Sequence, residues 1–176
     1  MQMNTVLEFI KTRRSIRKYK TDMVEQEKIN QIVEAGLYAA SGMNHQEVKI
    51  IVVTNKDFRD KLSAEKANFD GLYDGADPFY GAPVVLVVVA NKDYADYVYD
   101  GSLVMGNLML AAHALGVGSC WICRAKETFQ KPEYQEMLKS LGITGNWEGI
   151  GYCILGYPNG DVPNIPRKAN RVYHID

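Results

Sequence analysis

Apolar residues recur along this chain at two spacings, and each spacing marks a kind of element. After Thr21, through Glu27 to Ala40, Ile29, Ile32, Val33 and Leu37 repeat at helical intervals, which predicts a helix with one buried face. A shorter helix is expected over about 4 to 12, and another from Asp57 to Lys66. Val48 to Thr54 reads Val-Lys-Ile-Ile-Val-Val-Thr, a β-branched run of strand length. Pro83 opens a second strand, Val84 to Ala90, apolar at every position and so expected to be covered on both faces. Tyr97 to Leu115 is long and apolar on nearly every side, which predicts a central, buried helix stopped by Gly116. Ser119 to Cys123 and Gly149 to Gly156 read as strands, and Glu127 to Leu141 as one helix ended by Gly142. Asn68 to Gly81, rich in Asp, Gly and aromatics, is expected to be an irregular loop. The tail from Tyr157, with Pro158, Pro163 and Pro166, is expected to be extended.

Helices and strands alternate without a regular βαβ repeat. No glycine-rich phosphate loop follows the first strand, which counts against a Rossmann domain and a P-loop. The expectation is an α+β fold: a mixed or antiparallel central sheet flanked by helices, a long buried central helix, and one domain over 1–176. An extended tail of this length would be mobile unless docked, and a second subunit is a natural place to dock it.

Composition changes this picture little. The chain has 176 residues, 47% hydrophobic and 23% charged, with a formal net charge of -1, so neither nucleic acid nor membrane is expected as a partner. No signal peptide and no membrane span is read from it, and a soluble, cytoplasmic protein is expected. Three cysteines do not make a disulfide framework. Cys120-Trp-Ile-Cys123 is a CxxC, yet it sits in a strand-like run after Gly118 rather than opening a helix. Cys153 alone does not complete a zinc set. Structural thiols are expected, with Cys120 and Cys123 on opposite faces of the strand.

Four stretches could carry chemistry. Arg13-Arg14-Ser15-Ile16-Arg17-Lys18-Tyr19 places three guanidiniums and a hydroxyl within five residues, a set that can hold a phosphate or simply form a solvated basic turn. Ala40-Ser41-Gly42-Met43-Asn44-His45-Gln46 gathers donors and acceptors that suit the polar edge of a flavin, or end a helix. Gly116-Val-Gly-Ser-Cys-Trp-Ile-Cys123 lets backbone approach a flat ring, or is a buried strand. Pro166-Arg167-Lys168 could complete a phosphate site, or be ordinary tail charge.

Their order is more specific than any one of them. The Arg-Arg-Ser-Ile-Arg-Lys-Tyr start is followed by Ser-x-x-Asn-x-Gln before a strand, then by Ala82-Pro83-Val-Val. After these come Asn107-Leu-Met-Leu-Ala-Ala-His-Ala-Leu-Gly-Val-Gly-Ser-Cys-Trp-Ile122, Gly156-Tyr157-Pro158 and Pro-Arg-Lys. The chain resembles the nitroreductase-like family over roughly residues 6 to 175. It departs from the family pattern at Ala40 and at Glu47-Val48, where relatives carry Pro and Pro-Trp, and it is short.

The resemblance implies a homodimer with one FMN at each of two interfacial sites, and NADH or NADPH as electron donor. Arg13, Arg14, Ser15 and Arg17 match the N-terminal FMN contacts, and Arg167 with Lys168 the C-terminal phosphate contact. Ser41, Asn44 and Gln46 match flavin-facing positions supplied by the partner subunit. Trp121, Ile122 and Cys123 match the segment along the flavin. A nitroaromatic, a quinone or an activated alkene would be the acceptor, and no protein acid or base is required. The alternative is an FMN-binding electron carrier or sensor without turnover.

Overall fold

The computed structural model describes residues 5–162 and 164–175. Asn4 and Pro163, which fell in the expected first helix and the tail, lie outside them. Six helices and four strands follow in the order α1 (Thr5–Thr12), α2 (Gln26–Leu37), β1 (Val48–Val53), α3 (Lys56–Phe69), β2 (Val84–Asn91), α4 (Tyr97–Ala114), β3 (Gly118–Ile122), α5 (Ala125–Phe129), α6 (Pro132–Ser140) and β4 (Trp147–Gly156). The strands form one sheet ordered β1-β2-β4-β3, antiparallel throughout. The only parallel pairing among the described residues is an isolated bridge, Ser15 to Ser119, at the outer edge of β3.

The sheet is the middle of three layers. Strand β2 alternates its side chains between two cores, which is why every residue of its apolar run is buried. Val85, Val87 and Val89 pack with Leu62 of α3, Phe129 of α5, and Tyr134 and Leu138 of α6. Val84, Leu86 and Val88 pack on the other face with Ile29 and Ile32 of α2 and with Val104, Met105 and Leu108 of α4. Antiparallel strands with both faces covered give the α+β architecture that the sequence pattern predicts.

Three elements differ from expectation. The helix expected over Glu127 to Leu141 is two, because Pro132 cannot continue α5 and forces Lys131 into extended geometry at φ -70, ψ 142. Helix α3 is longer than expected, opened by Asn55, whose side chain accepts from the Phe58 N–H, and running to Phe69. Helix α4 is central but not buried all round. Its inner stripe of Gly101, Val104, Met105, Leu108 and Ala112 faces the core, while Val98, Tyr99 and Leu103 stay exposed.

Candidate functional site

The basic segment reaches its place by ordinary backbone pairing. Leaving α1, the chain runs along the edge of β3, where the Ile16 N–H donates to the Ser119 carbonyl at 2.9 Å. Ile16 and Tyr19 turn inward and are buried, and the Tyr19 hydroxyl donates to the Ile16 carbonyl at 2.8 Å. Gly118 is what allows this approach: a Cβ there would stand 2.9 Å from Ile16 and 3.1 Å from Pro158. The tail closes from the other side, with Lys20 N–H donating to the Tyr157 carbonyl and Asn159 N–H to that of Lys18. Arg13, Arg14 and Arg17 are thereby held beside the start of the tail.

Between them lies a cavity of about 440 Å³, lined by Arg13, Arg14, Ser15, Arg17, Lys18 and Arg167 among others. Five cations face it and one carboxylate, Asp161, and none of the five makes an ion pair among the described residues. Arg13 Nη1 and Arg14 Nε are buried there without a hydrogen-bond partner. Burial holds the Arg13 guanidinium below its usual pKa, and repulsion from Arg167 and then Arg14 adds to this. An unpaired, crowded cluster of this kind is incomplete without an anion. Arg14 also has a framework role: its Nη1 donates to the Lys11 and Arg13 carbonyls, and its Nη2 to Asn164 Oδ1 at 2.5 Å. Lys168 is exposed and does not line the cavity.

Arg17 lines a second cavity as well, of about 790 Å³, together with Trp121, Ile122 and Cys123 at the end of β3. Its far wall is the irregular segment after α3, with Leu72, Tyr73 and Tyr80. Trp121 is fixed by Gly151 on β4, where a Cβ would lie 2.6 Å from the indole nitrogen. A cation-lined cavity, one shared arginine and a wider hollow walled by aromatics therefore lie side by side along one edge of the sheet.

The third set, Ser41, Asn44 and Gln46, lies elsewhere. It forms a tight 3-10 turn in which Met43, Asn44 and Gln46 all have positive φ, at 47, 59 and 55. Three such residues in four positions store strain that the surroundings must hold. The Gln46 N–H donates to Ser41 Oγ, Gln46 Nε2 to Asn44 Oδ1, and the Gly42 N–H to the buried Asp100 carboxylate in the first turn of α4. Arg13 and Arg14 instead sit by the last turn of α4, near His113, whose Nε2 is 2.9 Å from Thr12 Oγ1. Asp100 and His113 are 13 residues apart on one helix, roughly 20 Å at 1.5 Å per residue. No cavity among those described is lined by both sets.

The thiols are unpaired. Cys120 is buried, its sulfur 3.6 Å from the Trp121 carbonyl, and burial pushes its pKa up; Cys123 is exposed just beyond β3. The sequence did not point to Pro158–Val162 as a wall of the arginine-lined cavity, nor to Arg124. That residue follows Cys123 with φ 81, and no residue-type signal marks a left-handed arginine.

The profile of the Nitroreductase family matches residues 10–69 and 72–157. A nitroreductase from Bacteroides fragilis, solved with bound FMN, is 29% identical with a TM-score of 0.87, covering 99% of this chain and 100% of that one. One from Desulfitobacterium hafniense, also with bound FMN, is 28% identical with a TM-score of 0.88 over 99% and 100%. The FMN reductase [NAD(P)H] of Bacillus subtilis is 27% identical over 186 residues, covering 95% of this chain and 72% of its own length.

Proposed function

The chain belongs to the nitroreductase family, and from that premise we propose that it is an FMN-dependent oxidoreductase carrying electrons from NAD(P)H to a small nitroaromatic or quinone acceptor. The observation that carries the reading is the cavity faced by five cations, with a buried guanidinium nitrogen of Arg13 left unpaired. Such a hole fits a phosphate monoester, and Arg17 connects it to a hollow wide enough for a planar ring system.

Arg13, Ser15 and Arg167 hold the phosphate in this reading, and Arg14 locks α1 to the tail so that the hole keeps its shape. When bound, FMN would supply the redox chemistry that links the nicotinamide donor to the acceptor. Arg17, which lines both cavities, would offset the negative charge of the reduced flavin. The bare backbone of Gly151 leaves room for the Trp121 indole, which lines the hollow.

The full site takes two chains. Ser41, Asn44 and Gln46 lie a helix length from the phosphate cavity and reach it from a second copy, whose approach also covers Val98, Tyr99 and Leu103. Each chain is then one FMN-binding domain of a homodimer. A cytoplasmic setting is supported by the three unpaired thiols. Among the described residues no helix is long and apolar enough to cross a membrane.

The test is direct. The purified protein is expected to be yellow, to lose its flavin band when NADH or NADPH is added without oxygen, and to recover it on addition of a quinone. A colourless protein that takes up no added FMN overturns the reading.

A further inference from the structure

We propose that Arg124 is a positioning residue that determines specificity: from the turn after β3 it grips Asp70 and so fixes how far the arm 70–76 stands over the acceptor hollow. The inference rests on the reading above, in which acceptors meet the flavin in the 790 Å³ cavity.

The backbone gives the first indication. Arg124 has φ 81, ψ 10, a left-handed conformation that glycine adopts freely and a side chain resists. A long side chain at such a point persists only when its contacts hold the turn. Its Nε donates to Asp70 Oδ1 at 3.1 Å and its Nη1 to Glu127 Oε1 at 2.8 Å.

The arm has two feet. One is Asp77, whose carboxylate is held by Arg59 Nη2 at 2.6 Å, by Ser63 Oγ and by the N–H groups of Phe79 and Gly81, with the Phe79 ring fully buried beneath. The other is Asp70, at the end of α3. Lys66 also grips Asp70, but it lies one turn back in the same helix, so that ion pair ties α3 to itself. The Arg124 pair crosses from α3 to the turn after β3. Between the feet, Gly71 and Gly75 have positive φ, Leu72 and Tyr73 are exposed, and the arm's backbone bonds are local: Gly71 N–H donates to the Asn68 carbonyl, Leu72 N–H to that of Ala67 and Ala76 N–H to that of Tyr73.

Both ends of the Arg124–Asp70 pair line the cavity. Trp121, Ile122 and Cys123 stand on its β3 side, Leu72 and Tyr73 on the arm side. The pair therefore joins the β3 side of the wall to the arm side. It is partly exposed, at 47% for Arg124 and 26% for Asp70, so it adds little to global stability. Its effect is local placement.

Arg124→Gly is the decisive variant, because glycine keeps the left-handed turn without strain and removes only the ion pairs. Asp70→Asn weakens the same contact from the other side, in case the first variant folds poorly. Arg124→Lys should restore part of any loss. Three quantities are read on the FMN-loaded protein and its apo form: FMN affinity by fluorescence titration, amide hydrogen exchange of the arm in the apo form, and kcat/KM for 1,4-benzoquinone and for 9,10-phenanthrenequinone. We expect FMN affinity within about twofold of the parent and exchange of 70–76 faster by about tenfold, with 77–82 unchanged. Selectivity should shift toward the larger quinone by about fivefold or more. Unchanged exchange of the arm, or equal changes for the two quinones, overturns the proposal. A parent protein that binds no FMN fails the proposed function instead, so the two failures are distinguishable.

Discussion

Replacing Arg13 by Met should separate the resting protein from its loaded form with opposite signs. Met keeps the apolar stem and deletes the charge. In the unloaded protein that charge is disfavoured by burial and by Arg167 and Arg14, so its removal should leave the melting temperature unchanged or raise it. In the loaded protein it is the donor whose Nη1 is otherwise orphaned. A charge-assisted hydrogen bond contributes about 1.5–3 kcal/mol. At about 1.4 kcal/mol per decade, FMN affinity should fall by about 10- to 150-fold. By linkage the same about 1.5–3 kcal/mol disappears from the stabilisation that saturating FMN confers. For a chain of this length that corresponds to about 3–12 °C of the flavin-induced shift. Paired thermal melts with and without FMN, plus a fluorescence titration, read all three quantities. If the variant lowers the unloaded and loaded melting temperatures equally, Arg13 is a framework residue and the electrostatic argument is wrong.

Arg167→Ala should weaken FMN binding by about tenfold while Lys168→Ala leaves it within about twofold, since only Arg167 lines the cavity; equal effects in a titration would contradict the placement of the tail. Leu103→Glu puts a charge on the exposed face of α4 and should give a monomer by light scattering with FMN retention lost; a flavin-loaded dimer would show that this face is not the contact. His113, surrounded by Thr12, Phe9, Arg13 and Arg14, has its pKa held below the usual 6.5, by burial first and then by the two arginines. Its folded pKa is depressed, so the folded state resists protonation. The stability it contributes is present above about pH 6.5 and is lost as pH falls below that. His113→Gln should flatten this acid limb in pH-dependent melts of the unloaded protein, and an unchanged slope would remove His113 from the account.

Much of the scaffold was legible because burial leaves a periodic trace. The run from Val84 to Ala90 could only be a strand covered on both faces, and the structure sandwiches it between two helical layers. Helix α4 shows the limit of the same signal: an apolar residue facing the core and one left exposed look identical in sequence, so a helix expected to be buried leaves Tyr99 and Leu103 exposed. The split at Pro132 was written in the chain and was overridden by the helical period on either side. In the tail, sequence proximity does not separate Arg167 from Lys168, yet neighbours in an extended segment point apart, and only Arg167 lines the cavity. Arg124 was invisible because nothing in its side chain announces a left-handed backbone.

The separation of the Ser41–Gln46 turn from the arginine cavity by the span of α4 bears on genetics as well as on geometry. In the paired arrangement proposed above, each flavin site draws its phosphate hole from one copy and its strained turn from the other. A chain crippled at Arg13 and a chain crippled at Asn44 would each be dead when made alone. Expressed together they form mixed dimers in which both lesions fall in one site and the other site is whole. Random pairing at equal amounts makes half the dimers mixed, so about a quarter of all sites should regain flavin. Two inactive alleles would then complement each other within a single gene product, as an active centre divided between its chains allows.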